Sequence, residues 1–329
     1  MTPHHLLEIR GLKTHFKTDD GWVHAVDGVD LHVDAGETLC VVGESGSGKS
    51  VTAMSVLKLL PMPPGRIVAG QVLWEGRDLV PLSQDEMRKL RGREIGMVFQ
   101  EPMTALNPVY TVGEQIGESL RLHEGLSRAA ALDRAAELLA LVHISQAARR
   151  VHDYPHQFSG GMRQRVMIAL ALACKPRLLI ADEPTTALDV TIQAQILDLL
   201  AELKDRLGMA VLLITHAMGV VAEVAQRVVV MYAGQVIEEG PVGLLFERPW
   251  HPYTQGLIRS IPRIDADAAR GSRLASIPGT VPSLVAPPPG CRFAPRCAYA
   301  RDACTQATPA LREVAPAHRV ACILEEAPR

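Results

Sequence analysis

Apolar and polar residues alternate nearly one for one over residues 6–16 and again over 22–33, with Val, Leu, Ile and Phe prominent. A period of two predicts strands there, and the Thr18-Asp19-Asp20-Gly21 cluster between them predicts a hairpin turn. Residues 38–42 form a short apolar run closed by Gly43, which suits a buried strand. From 49 to 60 the apolar positions take helical spacing, and Pro61, Pro63 and Pro64 stop that helix. Residues 95–99 predict another short strand. Residues 101–175 read as mainly helical, with the 3.6-residue period over 112–122, 128–142 and 161–174. Strands return at 178–181, 211–214 and 228–232, with helical stretches at 190–207 and 219–225 between them. That alternation implies a parallel sheet covered on both faces, from which the helical block hangs as a subdomain. Beyond about Ser260 the period is lost. Prolines at 262, 278, 282, 287, 288, 289 and 295 mark irregular structure, so 261–329 reads as an appendage to a domain spanning 1–260.

Composition narrows the class. At 329 residues and 47% hydrophobic content the chain has material for two or three folding units and no case for global disorder. Its 34 Lys and Arg against 36 Asp and Glu leave a formal net charge of −2, which argues against affinity driven by nucleic-acid phosphates. The longest compact apolar run, 166–174, has nine residues, too few to span a bilayer. No cationic-then-apolar leader is visible at the start, so a cytosolic protein is expected. Its six cysteines are then expected to be thiols or metal ligands rather than disulfides.

Three segments carry chemistry. Gly43-Glu-Ser-Gly-Ser-Gly-Lys49-Ser50 fits G-x-x-x-x-G-K-[ST] and lies after a strand and before a helix, where a phosphate-binding turn has to be. Gly43, Gly46 and Gly48 would let the backbone curl so that successive N–H groups, that of Ser45 among them, converge on one anion, with the helix N-terminus behind them. Lys49 would neutralise the β- and γ-phosphates of a nucleotide, and Ser50 would hold Mg²⁺. The strand at 178–181 runs into Asp182 and Glu183. Asp182 could hold Mg²⁺ through water, and Glu183 could orient and deprotonate an attacking water, although either residue would also serve as a helix cap. Ser159-Gly160-Gly161 opens a further helix, as an ordinary cap or as a second anion site.

Phe158-Ser-Gly-Gly-Met-Arg163 resembles the Leu-Ser-Gly-Gly-Gln signature of ATP-binding-cassette ATPases, with Phe158 and Met162 as variants. The other cassette motifs follow in the family's order: the turn at 43–50, Gln100 after its strand, the signature, Asp182-Glu183, Ala187-Leu188-Asp189, and His216 after the strand at 211–214. The resemblance implies an α/β P-loop NTPase fold of the cassette type. That fold has a mixed sheet core, an antiparallel β subdomain and an inserted helical subdomain at about 101–175. It also implies that two chains pack head-to-tail, with each nucleotide between Lys49 of one and Ser159, Gly160 and Gly161 of the other. Gln100 would contact Mg²⁺ and the attacking water, His216 would hold the γ-phosphate, and Asp189 would cross the seam. Phe16 occupies the position of the aromatic that stacks on adenine, with Trp22 as its rival and strand packing as the plainer explanation. Ala217 stands where the family commonly has Asp.

Further stretches resemble the ATPase subunits of bacterial dipeptide and oligopeptide importers: residues 100–108, 154–161, 251–257, 277–282 and 290–297. That kinship implies a motor on the cytoplasmic face of the inner membrane, attached to two integral-membrane permease subunits. The segment from 100 to about 122 would receive their coupling helices. It also implies a second related or identical ATPase subunit and an extracytoplasmic solute-binding protein. Nickel importers share this plan, and a soluble cassette ATPase acting on nucleic acid or ribosomes is the more distant alternative. Cys291, Cys297, Cys304 and Cys322 lack compact C-x-x-C spacing, and spacing alone leaves them as free thiols. In the importer family such tail cysteines can carry a [4Fe–4S] cluster. Zn²⁺, with His318 as a substitute ligand, is the rival.

Overall fold

A computed structural model of the protein describes residues 5–186, 188–261 and 276–328. Ala187 and the 262–275 part of the expected linker lie outside the described residues. The predicted hairpin appears as β1 (Leu7–Thr18) and β2 (Gly21–Val33). β3 (Thr38–Val42), buried along its whole length, runs into Gly43, and α1 (Lys49–Val56) follows the turn. α1 ends four residues short of the predicted Leu60. Lys58 adopts a left-handed φ of 50°, Leu59 N–H bonds Met54 O at 3.0 Å and Lys58 N–H bonds Ser55 O at 3.1 Å, which closes the helix by a Schellman motif before the prolines act.

β4 (Gly65–Trp74), β5 (Arg77–Asp78) and α2 (Gln84–Leu90) come next and are not predicted. Then come β6 (Ile95–Val98), α3 (Pro102–Ala105), α4 (Val112–Glu124), α5 (Arg128–Leu141), α6 (Ala147–Arg150) and α7 (Gly160–Ala171). β7 (Leu178–Asp182), α8 (Val190–Leu207), β8 (Ala210–Thr215), α9 (Met218–Val224) and β9 (Arg227–Tyr232) restore the alternation. β10 (Gln235–Pro241), α10 (Val242–Glu247) and α11 (Pro252–Arg259) lead to the tail, which holds α12 (Ala303–Gln306), β11 (Arg312–Ala315) and β12 (His318–Val320).

The chain divides into two compact units. The first is drawn from the described parts of Met1–His32, Leu39–Val80 and Thr215–Arg329. It contains an antiparallel sheet in the order β2-β1-β4-β5 and a mixed array in which β3 and β9 are parallel. The two-residue turn Ala233-Gly234, both at positive φ (47° and 84°), forces β10 antiparallel to β9. β12 and then β11 extend that edge, so tail residues join this sheet. The mixed sheet and the antiparallel subdomain are as expected, and turn geometry accounts for the antiparallel strand that the strand–helix alternation alone does not indicate. Leu7, Ile9, Val26, Leu39, Val41 and Val228–Met231 fill the interior.

The second unit comprises Val33–Thr38 and the described parts of Pro81–Ile214. Its strands β6, β7 and β8 are parallel, with Val98 beside Ala181 and Asp182 beside Ile214. Ile196, Leu199, Leu200 and Leu203 of α8 recur at helical spacing and are buried, each contributing roughly 1.5–3 kcal/mol. Thr111, Ser127, Ser159 and Asp189 cap α4, α5, α7 and α8 through their side-chain oxygens, which is why those helices begin where they do. Among the described residues no helix is long and apolar enough to cross a membrane.

Candidate functional site

In the first unit, the residue after β3 has to turn the chain back against β9. Gly43 does so at φ 152°, and a Cβ there would lie 2.2 Å from Met231 O. Gly48, at φ 100°, leaves only 2.4 Å between a Cβ and Ala25 O. Glycine is therefore required at both positions. No side chain caps α1 at Gly48, so its first turn keeps backbone donors aimed along the axis. Lys49 is 5% exposed, and its Nζ donates to Gly43 O at 2.9 Å, Glu44 O at 3.0 Å and Ser47 Oγ at 3.4 Å. The cation thus sits inside the loop that it would share with a phosphate chain. Ser45 and Gly46 are exposed on the turn, and Ser50 follows Lys49 in the first turn of α1.

His216 is exposed directly after β8, also in the first unit. Ala217 caps α9 with no side-chain bond, a consequence of Ala where Asp would accept one. Phe16 pairs with Gly65 in the β1–β4 register, and a Cβ on Gly65 would lie 2.9 Å from the Phe16 ring. The ring packs on that backbone and remains half-buried, whereas Trp22 is exposed.

In the second unit, β7 delivers Asp182 almost wholly buried at its C-terminal end. Glu183 then takes a left-handed φ of 46°, a conformation costing about 1–3 kcal/mol for a residue with a Cβ. That turn presents Oε2 to Gln100 Nε2 at 3.0 Å and to Thr186 Oγ1 at 2.9 Å. The structure therefore brings Gln100 and Glu183 together. Thr186 completes the group and is missed by sequence reasoning, since a Thr three residues after an acid has no distinctive pattern. Ser159 Oγ accepts from Met162 N–H at 3.4 Å, and Asp189 Oδ1 accepts from Ile192 N–H at 2.9 Å. Gly160 is exposed at the start of α7. A Cβ on Gly161 would stand 2.8 Å from Ile192 Cγ2, so close packing of α7 on α8 demands glycine there. Phe158 is buried beneath the Arg150 guanidinium, 5.5 Å from its ring centroid.

The tail cysteines are free thiols, and Cys304 acts electrostatically on Cys291, Cys297 and Cys322. Burial pushes those three thiols above the usual cysteine range, opposed by backbone N–H groups that favour the thiolate and aided by the neighbouring thiols. Cys291 N–H bonds Cys304 O at 2.7 Å, and Arg301 N–H reaches Cys304 Sγ at 3.5 Å. The four thiols lie near enough to influence one another electrostatically, but no three of their sulfurs lie within 4.8 Å of one another, too far apart for a ready-made tetrahedral Zn²⁺ site. His318 Nε2 lies 2.8 Å from Glu238 Oε1 in a buried pair, so that ring is engaged with the carboxylate.

A phosphate-binding turn, an acidic strand end with its glutamine, and a Ser-Gly-Gly helix start together define an ATP-binding-cassette ATPase. A family model described as ABC transporter matches residues 26–186, and one described as oligopeptide/dipeptide transporter, C-terminal region, matches 237–304. A probable peptide ABC transporter ATP-binding protein of Sinorhizobium fredii is 56% identical over 317 residues, covering 96% of this chain and 94% of its own. The oligopeptide transport ATP-binding protein OppD of Bacillus subtilis is 54% identical over 315 residues, covering 96% of this chain and 87% of its own. A solved dimeric cassette bound to ADP and phosphate after hydrolysis superimposes with a TM-score of 0.64 at 30% identity, covering 72% of this chain and 98% of that one. The chain belongs to the ABC transporter family, among the ATP-binding subunits of peptide transporters.

Proposed function

We propose that the protein is the ATP-hydrolysing motor of a peptide importer and that its motifs carry the roles their residue types imply. Lys49 neutralises the β- and γ-phosphates while the N–H groups of 43–50 cradle them, and Phe16 stacks on adenine. Ser50, Asp182 and Gln100 would hold Mg²⁺, which supplies charge neutralisation on the β,γ-oxygens. Glu183 orients a water for attack on the γ-phosphorus and takes up its proton as the bond to the bridging β,γ-oxygen breaks, giving ADP and phosphate. His216 steadies the γ-phosphate. Ser159, Gly160, Gly161 and Asp189 act on the nucleotide of a second ATPase subunit, related or identical, so that binding closes a dimer and hydrolysis reopens it.

Kinship with peptide transporters supports the cargo and the setting. The setting is the cytoplasmic face of the inner membrane, with two integral-membrane permease subunits and an extracytoplasmic binding protein. Met103 and Val109, 63% and 72% exposed beside the half-exposed Tyr110, support the segment from Gln100 to about Leu122 as the permease contact. Cys291, Cys297, Cys304 and Cys322 would hold a [4Fe–4S] cluster, a reading supported by the mutual electrostatic influence of these thiols and by the match of 237–304, which contains the first three, to the oligopeptide-transporter C-terminal region. The cluster would staple a tail with little core of its own.

The observation that carries this reading is the Glu183 carboxylate held by Gln100 on a left-handed turn. Glu183→Gln should bind ATP as wild type does, lower turnover at least ~100-fold, and accumulate as an ATP-bound dimer on size exclusion. Turnover at the wild-type rate would remove Glu183 from the mechanism.

A further inference from the structure

The tail segment 290–297 carries two arginines, each next to a cysteine, and both reach the phosphate-binding turn or its supports. Arg292 donates to Ala233 O and pairs with Asp27. The neighbouring Gly234 N–H holds Ser47 O at 2.9 Å. Arg296 reaches the turn itself. Its NH1 donates to Glu44 Oε2 at 2.7 Å and its NH2 to Oε1 at 3.1 Å, a bidentate pair. NH1 also reaches the Tyr232 hydroxyl at 3.3 Å, NH2 reaches Ile277 O at 3.2 Å, and Nε reaches Pro278 O at 2.9 Å. A guanidinium has five N–H donors, and each has an acceptor here. The side chain is only 5% exposed.

Glu44 is gripped at a second point, because its backbone N–H donates to the Tyr253 hydroxyl at 2.7 Å. Phe293 packs edge-on to both Tyr232 and Tyr253, at 5.2 and 5.4 Å between ring centroids, and so fixes the platform beneath. The Glu44 carbonyl is also one of the acceptors that hold Lys49. A fixed carboxylate at the second position of a turn built for phosphates would repel them unless it were neutralised. A buried cation paired with it does that.

We infer that Arg296 is a positioning residue for nucleotide binding: from the cysteine-bearing tail it neutralises Glu44 and fixes the phosphate-binding turn. The inference rests on the ATP-binding reading proposed above. The surrounding peptide is shaped for the task. Gly279, at φ 80°, would bring a Cβ within 3.2 Å of Arg296 Cγ, so the 277–279 stretch wraps the side chain closely.

The test is equilibrium binding of Mg²⁺-ATP to the full chain as wild type, Arg296→Ala, Arg296→Lys, Glu44→Gln and the double variant, with thermal melting of each. Arg296→Ala should weaken binding about tenfold or more, because it leaves an unpaired carboxylate beside the triphosphate. Glu44→Gln should bind at least as tightly as wild type. The double variant should recover most of the affinity, since the repelling charge is gone. Lysine, with three donors, should fall between alanine and wild type. Wild-type affinity in Arg296→Ala overturns the inference, and so does a double variant as weak as that single one, which would mean the arginine merely anchors the tail. If Arg296→Ala does not fold, the double variant, free of the buried lone charge, decides between these outcomes. Failure of the wild-type chain to bind ATP at all would instead sink the nucleotide reading itself.

Discussion

Cys40, inside β3, is wholly buried, and burial pushes its thiol up to about 12; half-buried Cys174 is pushed up to about 11 by burial and then by Glu124. Only the thiolate is nucleophilic, so at pH 8 roughly one Cys40 in 10,000 is reactive at any moment. Iodoacetamide at pH 8 should leave Cys40 unmodified in the native chain and Cys174 slow by comparison with the denatured protein, as read by peptide mass spectrometry. Rapid native labelling of Cys40 would contradict its burial. At this scale the phosphate turn is legible in the amino-acid order alone, because Gly43, Gly48 and Lys49 belong to one contiguous motif with fixed spacing. Arg296 is not, since its partner Glu44 is 252 positions away and an isolated arginine has no periodicity to betray it.

Helices with their own caps and stripes can be placed from sequence nearly to the residue, as α5 and α8 show. β4 cannot. Its middle residues are exposed or half-buried on both sides, so no alternation of apolar and polar positions marks it, and only pairing with β1 makes it a strand. The start of α7 shows the converse, a legible motif whose packing reason is invisible in sequence. With 2.8 Å between a Cβ on Gly161 and Ile192 Cγ2, Gly161→Ala should destabilise the second unit by about 1–3 kcal/mol. That outweighs the helix-propensity gain of at most about 1 kcal/mol. Ile192→Ala removes the clashing methyl, so thermal melting of the two singles and the double should show the Gly161 cost shrinking in that background. Strict additivity would refute the packing account.

For the whole molecule, the alternation of strands and helices is readable because each carries its own period, whereas the joining of the tail to β10 is not. β12 is three residues long and gains its identity from Glu238 and Glu239 across the ladder. The same region sets an acid limit on stability. His251 is fully buried and burial lowers its pKa to about 4, against a partial opposing effect of Glu238. The folded chain therefore keeps this imidazole neutral while the unfolded chain protonates it below about pH 6.5. This contribution is fully present above that pH and is lost as pH falls towards 4, by roughly 3 kcal/mol. His251 Nδ1 also accepts from Tyr253 N–H at 3.1 Å, a bond that asparagine can replace. His251→Asn should consequently flatten the decline in melting temperature between pH 6.5 and 4, and an unchanged slope would assign the decline to other groups.

The ion pair between Glu44 and Arg296 also has a bearing on biosynthesis. A ribosome adds roughly 5–20 residues per second, so on the order of 10–50 s separates the emergence of the two partners. During that interval the nascent chain holds its glycine-rich loop with one anion uncompensated. The turn thus gains this counter-charge only at the final stage of translation, and a message cut short before codon 290 would yield a polypeptide with all its cassette motifs and no Arg296 to compensate Glu44.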